Sequence, residues 1–352
     1  MFETLKTLCE LPGPGGREDI VHRWLMERWQ PQLDSAWMTP VGNLVGRVGG
    51  QGPRLMLIGH GDEIGYAVRH ISDDGFLFIS TGQREGSGKP DFRGSYFIPL
   101  GQPALVVSRH GTTEGVFATL TGHILTTEQR QKLQLDWNDF WVDLFMDSRE
   151  AVLDAGIQVG DRVIWNPPTR RHGSLYTGKA MDNRVSLAVM DEVLNRVDRS
   201  RLQYDLYYGS TVQEESGLYG AHSINRDVNC TYAISIDTGL SGDVPGVDRR
   251  NVSTRLGGGP ILIHKDLYGY NFALNNHIID AATAAGIALQ HAVYSIYGTD
   301  SGALIREGAA ASAVVVPTRY THSPFETVHA DDLDATVNLL LEFLYRPPPE
   351  AS

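Results

Sequence analysis

YDLYYGSTVQEESGLY, residues 204–219, is the stretch around which the rest of the chain is organised. Leu206, Tyr207, Tyr208 and Val212 form an apolar and aromatic run that stops at two adjacent carboxylates, Glu214 and Glu215. Gly217 and a helix-like pattern follow. Strand, acid pair, turn and helix is a common way for an α/β enzyme to present acids at a sheet edge. On an extended segment the two side chains point to opposite sides, so one could hold a metal while the other moves a proton. An isolated glutamate pair is more commonly an exposed acidic turn. The surrounding chain has to decide.

Three further apolar runs have the composition of strands buried on both faces: residues 55–58, 232–236 and 313–316. Each leads into polar residues. The first ends in Gly59-His60-Gly61-Asp62-Glu63, the second in Asp237-Thr238-Gly239, and the third leads to Thr321-His322-Ser323-Pro324. Gly178-Lys179-Ala180-Met181-Asp182-Asn183-Arg184 introduces a helix in which Val185, Val189, Val193 and Val197 recur every fourth residue. Asp182 stands where an N-cap belongs, which is reason enough for an aspartate. The helix N-terminus also favours negative charge there. Periodicity predicts other helices over 2–10, over the segment with Ile20, Trp24, Leu25 and Trp29 on one side, over 271–286 and over 330–344.

Between these α/β parts the texture changes. Short alternating runs are separated by turn signals at Asp73-Asp74-Gly75, Gly86-Ser87-Gly88, His110-Gly111 and Gly160-Asp161, with helical pieces near 127–133 and 148–155. Pro167-Pro168 marks the exit. The expected architecture is a three-layer, mostly parallel sheet with helices on both faces, formed by residues 1–70 and 166–352. Residues 71–165 are expected to be an inserted small β-rich domain whose work is assembly or shaping access to the site.

The chain has 352 residues, room for a large core. A net charge of −12 without a Lys/Arg-rich block argues against nucleic acid as a partner. The two cysteines, Cys9 and Cys230, make no CxxC motif and suit a reducing compartment. No apolar stretch approaches the roughly 20 residues needed to cross a bilayer, and the N-terminus lacks a secretory pattern. A cytoplasmic address, with no membrane partner, is expected.

The hints converge because strand ends in a parallel sheet share one edge, where ligands of open α/β folds bind. His60, Glu214, Glu215, Asp237 and His322 all follow apolar strands, and Asp182 can join them from a helix entrance. Two imidazoles and several carboxylates without cysteine suit Zn²⁺, Co²⁺ or Mn²⁺. Carboxylates so crowded would repel and protonate unless cations intervened. Two divalent ions would lower the pKa of a shared water toward about 7 and clamp a carbonyl. A carboxylate kept off the ions would take the water's proton and return it to a leaving amine.

The motifs GHGDEIG (59–65), GKAMDNR (178–184), TVQEESGLYGA (211–221), DTGLSGDVPG (237–246), YGTDSG (297–302) and VPTRYTHSPFE (316–326) resemble those of the M42 metallo-aminopeptidases, the tetrahedral and glutamyl aminopeptidases. The resemblance runs nearly end to end. It implies that His60, Asp182 and Asp237 hold metal, with Asp182 bridging, and that Glu215 and His322 complete two sites. It implies Glu214 as general base and Asp62 as the residue orienting His60. It also implies a cis bond after Asp182, peptide substrates with a free N-terminus, and dimers assembling into a dodecamer. Gly61 stands where a larger residue such as Met is frequent, and Ser216 where a β-branched apolar residue is usual. Neither position is a ligand.

Two other readings compete: another metal amidase on the same scaffold, such as a deacylase or carboxypeptidase, and a non-catalytic assembly protein. A glycosidase reading leaves the two histidines without a role.

Overall fold

The computed structural model describes residues 1–81, 100–131 and 137–349. The Gly86-Ser87-Gly88 turn and the end of the helix expected over 127–133 lie outside the described residues.

The four apolar runs become neighbouring parallel strands in the order Asp205–Thr211, Arg54–His60, Tyr232–Leu240, Ala310–Arg319. Burial on both faces is what makes such strands apolar throughout. Leu55 and Leu57 point into the larger core cluster, together with residues of the helices Phe2–Glu10, Asp19–Trp29, Met181–Arg196, Phe272–Ala284 and Ala330–Leu344. Met56 and Ile58 point the other way, against Ile224 and Val228 of Ala221–Val228 and Leu304 of Asp300–Arg306. Helices therefore cover both faces, giving three layers.

The sheet is mixed rather than mostly parallel. Among the described residues it has 11 strands, and those that border the four central ones run antiparallel to them. Leu44–Gly49 pairs antiparallel with Asp205–Thr211, Ile261–Lys265 with Ala310–Arg319, and Glu326–His329 with both Ala310–Arg319 and Leu175–Gly178. A two-residue connection such as the one between Arg170–His172 and Leu175–Gly178 can only return the chain antiparallel. In Asp19–Trp29 the buried stripe is Val21, His22, Leu25 and Trp29, with Ile20 and Trp24 only half-buried.

The β-rich part is a closed six-stranded barrel, in the order Tyr66–Ile71, Leu77–Thr81, Phe140–Asp143, Gly111–Thr119, Pro103–Ser108, Arg162–Trp165. This corrects the expectation of a plain small insertion. Closure comes from Tyr66–Ile71 pairing with Arg162–Trp165, so the barrel begins at Tyr66 rather than at residue 71. Tyr66, Phe117, Phe140 and Trp165 fill its separate core. Ser148 caps the helix Arg149–Asp154, its hydroxyl oxygen accepting from the Ala151 amide at 3.3 Å.

Candidate active site

Strand register sets the rows of the site. His60 and Thr211, the last residues of their strands, are partners. Ser235 pairs with Ile58, so Asp237, two residues on, falls level with His60. His322 follows Ala310–Arg319 in a loop where Tyr320 and His322 both take a left-handed φ of 62°.

These side chains meet around Asp182. Its Oδ1 lies 3.2 Å from His60 Nε2 and its Oδ2 lies 3.3 Å from His322 Nε2. Glu214 Oε2 and Asp237 Oδ1 are each 3.9 Å from His60 Nε2. Glu215 Oε1 is 3.2 Å from His322 Nε2 in an orientation that makes no hydrogen bond. With Leu267, Ile296, Tyr297 and Gly298, the six residues line a pocket of about 280 Å³.

Two local expectations need correction. Asp182 is not an N-cap. It and Asn183 have non-helical backbone, the bond between them is cis, and Asn183 Oδ1 accepts the Ser186 amide at 3.3 Å. Capping by Asn183 leaves the Asp182 carboxylate free to face both imidazoles. The glutamate pair is not on an extended segment either. The strand ends at Thr211, and Gln213 has φ 51°, so the pair sits on a turn with both carboxylates at the pocket wall.

Asp62 contacts more than the His60 imidazole. Its Oδ1 lies 3.3 Å from His60 Nδ1, and its two oxygens accept the amides of Glu214 at 3.0 Å and Glu215 at 3.2 Å. One buried carboxylate thus ties the His60 loop to the glutamate turn. Two further acids escape sequence reasoning. Glu326 accepts the amides of Asp182 and His322, and Asp300 accepts from the Thr211 hydroxyl at 2.6 Å. Both lie within the motifs VPTRYTHSPFE and YGTDSG, and that was the available signal.

The electrostatics are those of a centre short of positive charge. Burial lifts the Glu214 carboxyl well above its usual range; His60 opposes this, and Asp237, Asp300 and Glu215 add to it. Asp237 is lifted by burial in the same way, and Asp300 to about 6. Asp182 goes the other way, because hydrogen bonds from His322 and His60 outweigh its burial. Burial disfavours the imidazolium of both histidines, yet Glu214 beside His60 and Glu215 beside His322 hold them well above the ordinary value.

Among the described residues, ligand atoms come within 4.8 Å of one another in two groups, His60 with Asp182 and Glu215, and His60 with Glu214 and Asp237. Spacing alone does not separate Glu214 from Glu215. Nitrogen and oxygen donors, crowded carboxylates and a buried Glu215 Oε1 that accepts no hydrogen bond together fit divalent cations.

A model of the M42 glutamyl aminopeptidase family matches residues 42–339. A TET aminopeptidase from the marine sediment archaeon Thaumarchaeota archaeon SCGC AB-539-E09 is 30% identical, with a TM-score of 0.90 over 98% of this chain and 96% of that one. The TET1 peptidase of Pyrococcus horikoshii, which can assemble into a tetrahedron or a large octahedral shell, is 26% identical, with a TM-score of 0.83 over 97% of this chain and 98% of that one. The lysyl aminopeptidase of Pyrococcus furiosus is 26% identical over 358 residues, covering 99% of this chain and 98% of its own. With the family match spanning most of its length and the same fold in the two solved structures, the chain belongs to the M42 glutamyl aminopeptidase family.

Proposed function

We propose that the protein is a metal-dependent aminopeptidase that releases N-terminal residues from peptides. The observation that carries this reading is Asp182, with one carboxylate oxygen facing each of two imidazoles at 3.2 Å and 3.3 Å. Such a carboxylate can be shared between two cations. His60 and Asp237 would complete one site, and Glu215 and His322 the other. Zn²⁺ or Co²⁺ suit the donors best, and Mn²⁺ is compatible. Ions held there would supply Lewis acidity toward a peptide carbonyl and toward water, whose pKa such ions bring toward about 7.

Glu214 moves the proton in this reading. Its carboxyl is buried and pushed up, the direction that makes a carboxylate a stronger proton acceptor. It takes one from the attacking water and returns it to the leaving amine. Asp62 keeps the division of labour in place, since it holds the amides of both glutamates while facing His60. The apolar wall of Leu267, Ile296 and Tyr297 gives a substrate side chain a surface to pack on.

Assembly belongs to the same reading. Residues 71–165, with the barrel strand from Tyr66 added, act as the assembly module, and dimers build a dodecamer like the shells of the TET1 peptidase. Cys9 and Cys230 are buried and unpaired, which accords with a cytoplasmic address. Among the described residues, no helix is long and apolar enough to cross a membrane.

The test compares a free-amino peptide with its N-acetylated twin. The reading predicts hydrolysis of the first alone. Release of acetate from the twin would favour a deacylase, and cleavage from the other end a carboxypeptidase.

A further inference from the structure

Glu326 is the first residue of the strand Glu326–His329 and is almost fully buried, 2% exposed. Its register partner is Gly178, four residues before Asp182. The pairing brings its carboxylate under two segments that come from distant parts of the chain. One oxygen accepts the amide of Asp182 at 3.0 Å, and the other accepts the amide of His322 at 2.6 Å.

Both segments are locally strained. Ala180, just ahead of Asp182, has φ 59°, and His322 itself has φ 62°. Residues other than glycine take this left-handed conformation at a cost of order 1–3 kcal/mol, and it persists where the surroundings fix it. The two amide N–H groups reach different oxygens of one side chain. A carboxylate accepts at both, whereas an amide side chain would set an NH₂ group, which only donates, against one of the two N–H groups.

We propose that Glu326 is a positioning residue of the centre: by accepting both amides it sets the separation and orientation of Asp182 and His322 before any ligand arrives. It complements Asp62, which does the same for Glu214 and Glu215. The two carboxylates divide the task, one for the His60 and glutamate side and one for the Asp182 and His322 side. Glu326 itself does not line the pocket.

This inference rests on the metal reading of the site, so the experiment separates the two. Zn²⁺ and Co²⁺ affinities are measured by competition with a chromophoric chelator for wild type, Glu326→Gln and Glu326→Asp, with circular dichroism and thermal melts of the metal-free proteins as folding controls. If wild type binds neither ion, the metal reading fails. If wild type binds, Glu326→Gln should fold and lose about 10- to 100-fold in affinity, the usual cost of disturbing a residue that orients ligands. Glu326→Asp keeps two acceptors on a shorter stem and should retain more affinity than the glutamine variant.

A residue that merely filled space would give the opposite ranking, because glutamine is the isosteric replacement. Equal affinities for wild type and Glu326→Gln, or a glutamine variant tighter than the aspartate one, would overturn the proposal. Should Glu326→Gln fail to fold, the aspartate variant decides. Affinity within about 10-fold of wild type supports positioning, and anything weaker contradicts it.

Discussion

A Cβ added at Gly61 would lie 2.5 Å from His22 Nε2 and 3.2 Å from the Ser210 hydroxyl. His22 therefore occupies the space that a side chain at position 61 would take. The imidazole donates from Nδ1 to the Gly42 carbonyl at 2.9 Å and accepts at Nε2 from the Ser210 hydroxyl at 2.9 Å, which fits a neutral ring. Burial lowers its pKa from 6.5 to about 4. Between these values the unfolded chain binds more protons than the folded one, so His22 makes stability rise with pH across this window. Its contribution is complete above pH 6.5 and is lost as pH falls toward 4, by about 3 kcal/mol at most. Urea denaturation of the metal-free protein should show the gap between wild type and His22→Asn narrowing as pH falls through that window. A gap independent of pH would contradict the assignment.

At the scale of elements, the segments that carry the site are braced from below by a buried charge cluster. Lys179 Nζ donates to both oxygens of Glu63, at 2.9 Å and 2.7 Å, and the Gly13 amide donates to Glu63 Oε1 at 2.9 Å. Arg184 Nη2 lies 3.6 Å from the same carboxylate, and its Nη1 donates to the Leu8 carbonyl at 3.1 Å. The N-terminal turn, the His60 loop and the Asp182 segment thus share one ion group. Neutralising the carboxylate would leave the buried Lys179 and Arg184 facing one another without it, so Glu63→Gln, which keeps an acceptor for Gly13, should cost about 3–5 kcal/mol in chemical denaturation. Adding Lys179→Met, which removes one of the two cations, should recover part of that. A loss below about 1 kcal/mol for the single variant would mean that the cluster is solvated or rearranges.

These elements also show what sequence could and could not reveal. Strands with both faces covered advertise themselves as apolar runs, so the four central ones were legible, as were the polar residues at their ends. The strand Arg170–His172 is exposed along its whole length and carries no such signature. Barrel closure was not legible, because no turn signal separates GHGDEIG from Tyr66–Ile71 and the closing partner lies some ninety residues away. The ligand candidates were readable because imidazole and carboxylate at strand ends form a chemically specific set. Glu326 and Asp300 were not, since a single acid in a polar loop acquires its role only from the amides or hydroxyls that the fold turns toward it.

For the whole molecule, the six-residue centre lies at the edge of one sheet, and the barrel has a separate core of its own in a chain of the M42 glutamyl aminopeptidase family. The central claim is that Asp182 and its neighbours hold catalytic cations while Glu214 moves the proton. It is tested most directly by measuring metal content and free-amino peptide hydrolysis for wild type and Glu214→Gln, each after chelation and again after re-supply of Zn²⁺ or Co²⁺. The account predicts about two ions per chain in both proteins. It also predicts loss of wild-type activity on chelation, recovery on re-supply, and a Glu214→Gln rate lower by about 10²- to 10⁴-fold even when loaded. Hydrolysis at the wild-type rate by the chelated enzyme, or by loaded Glu214→Gln, would contradict it.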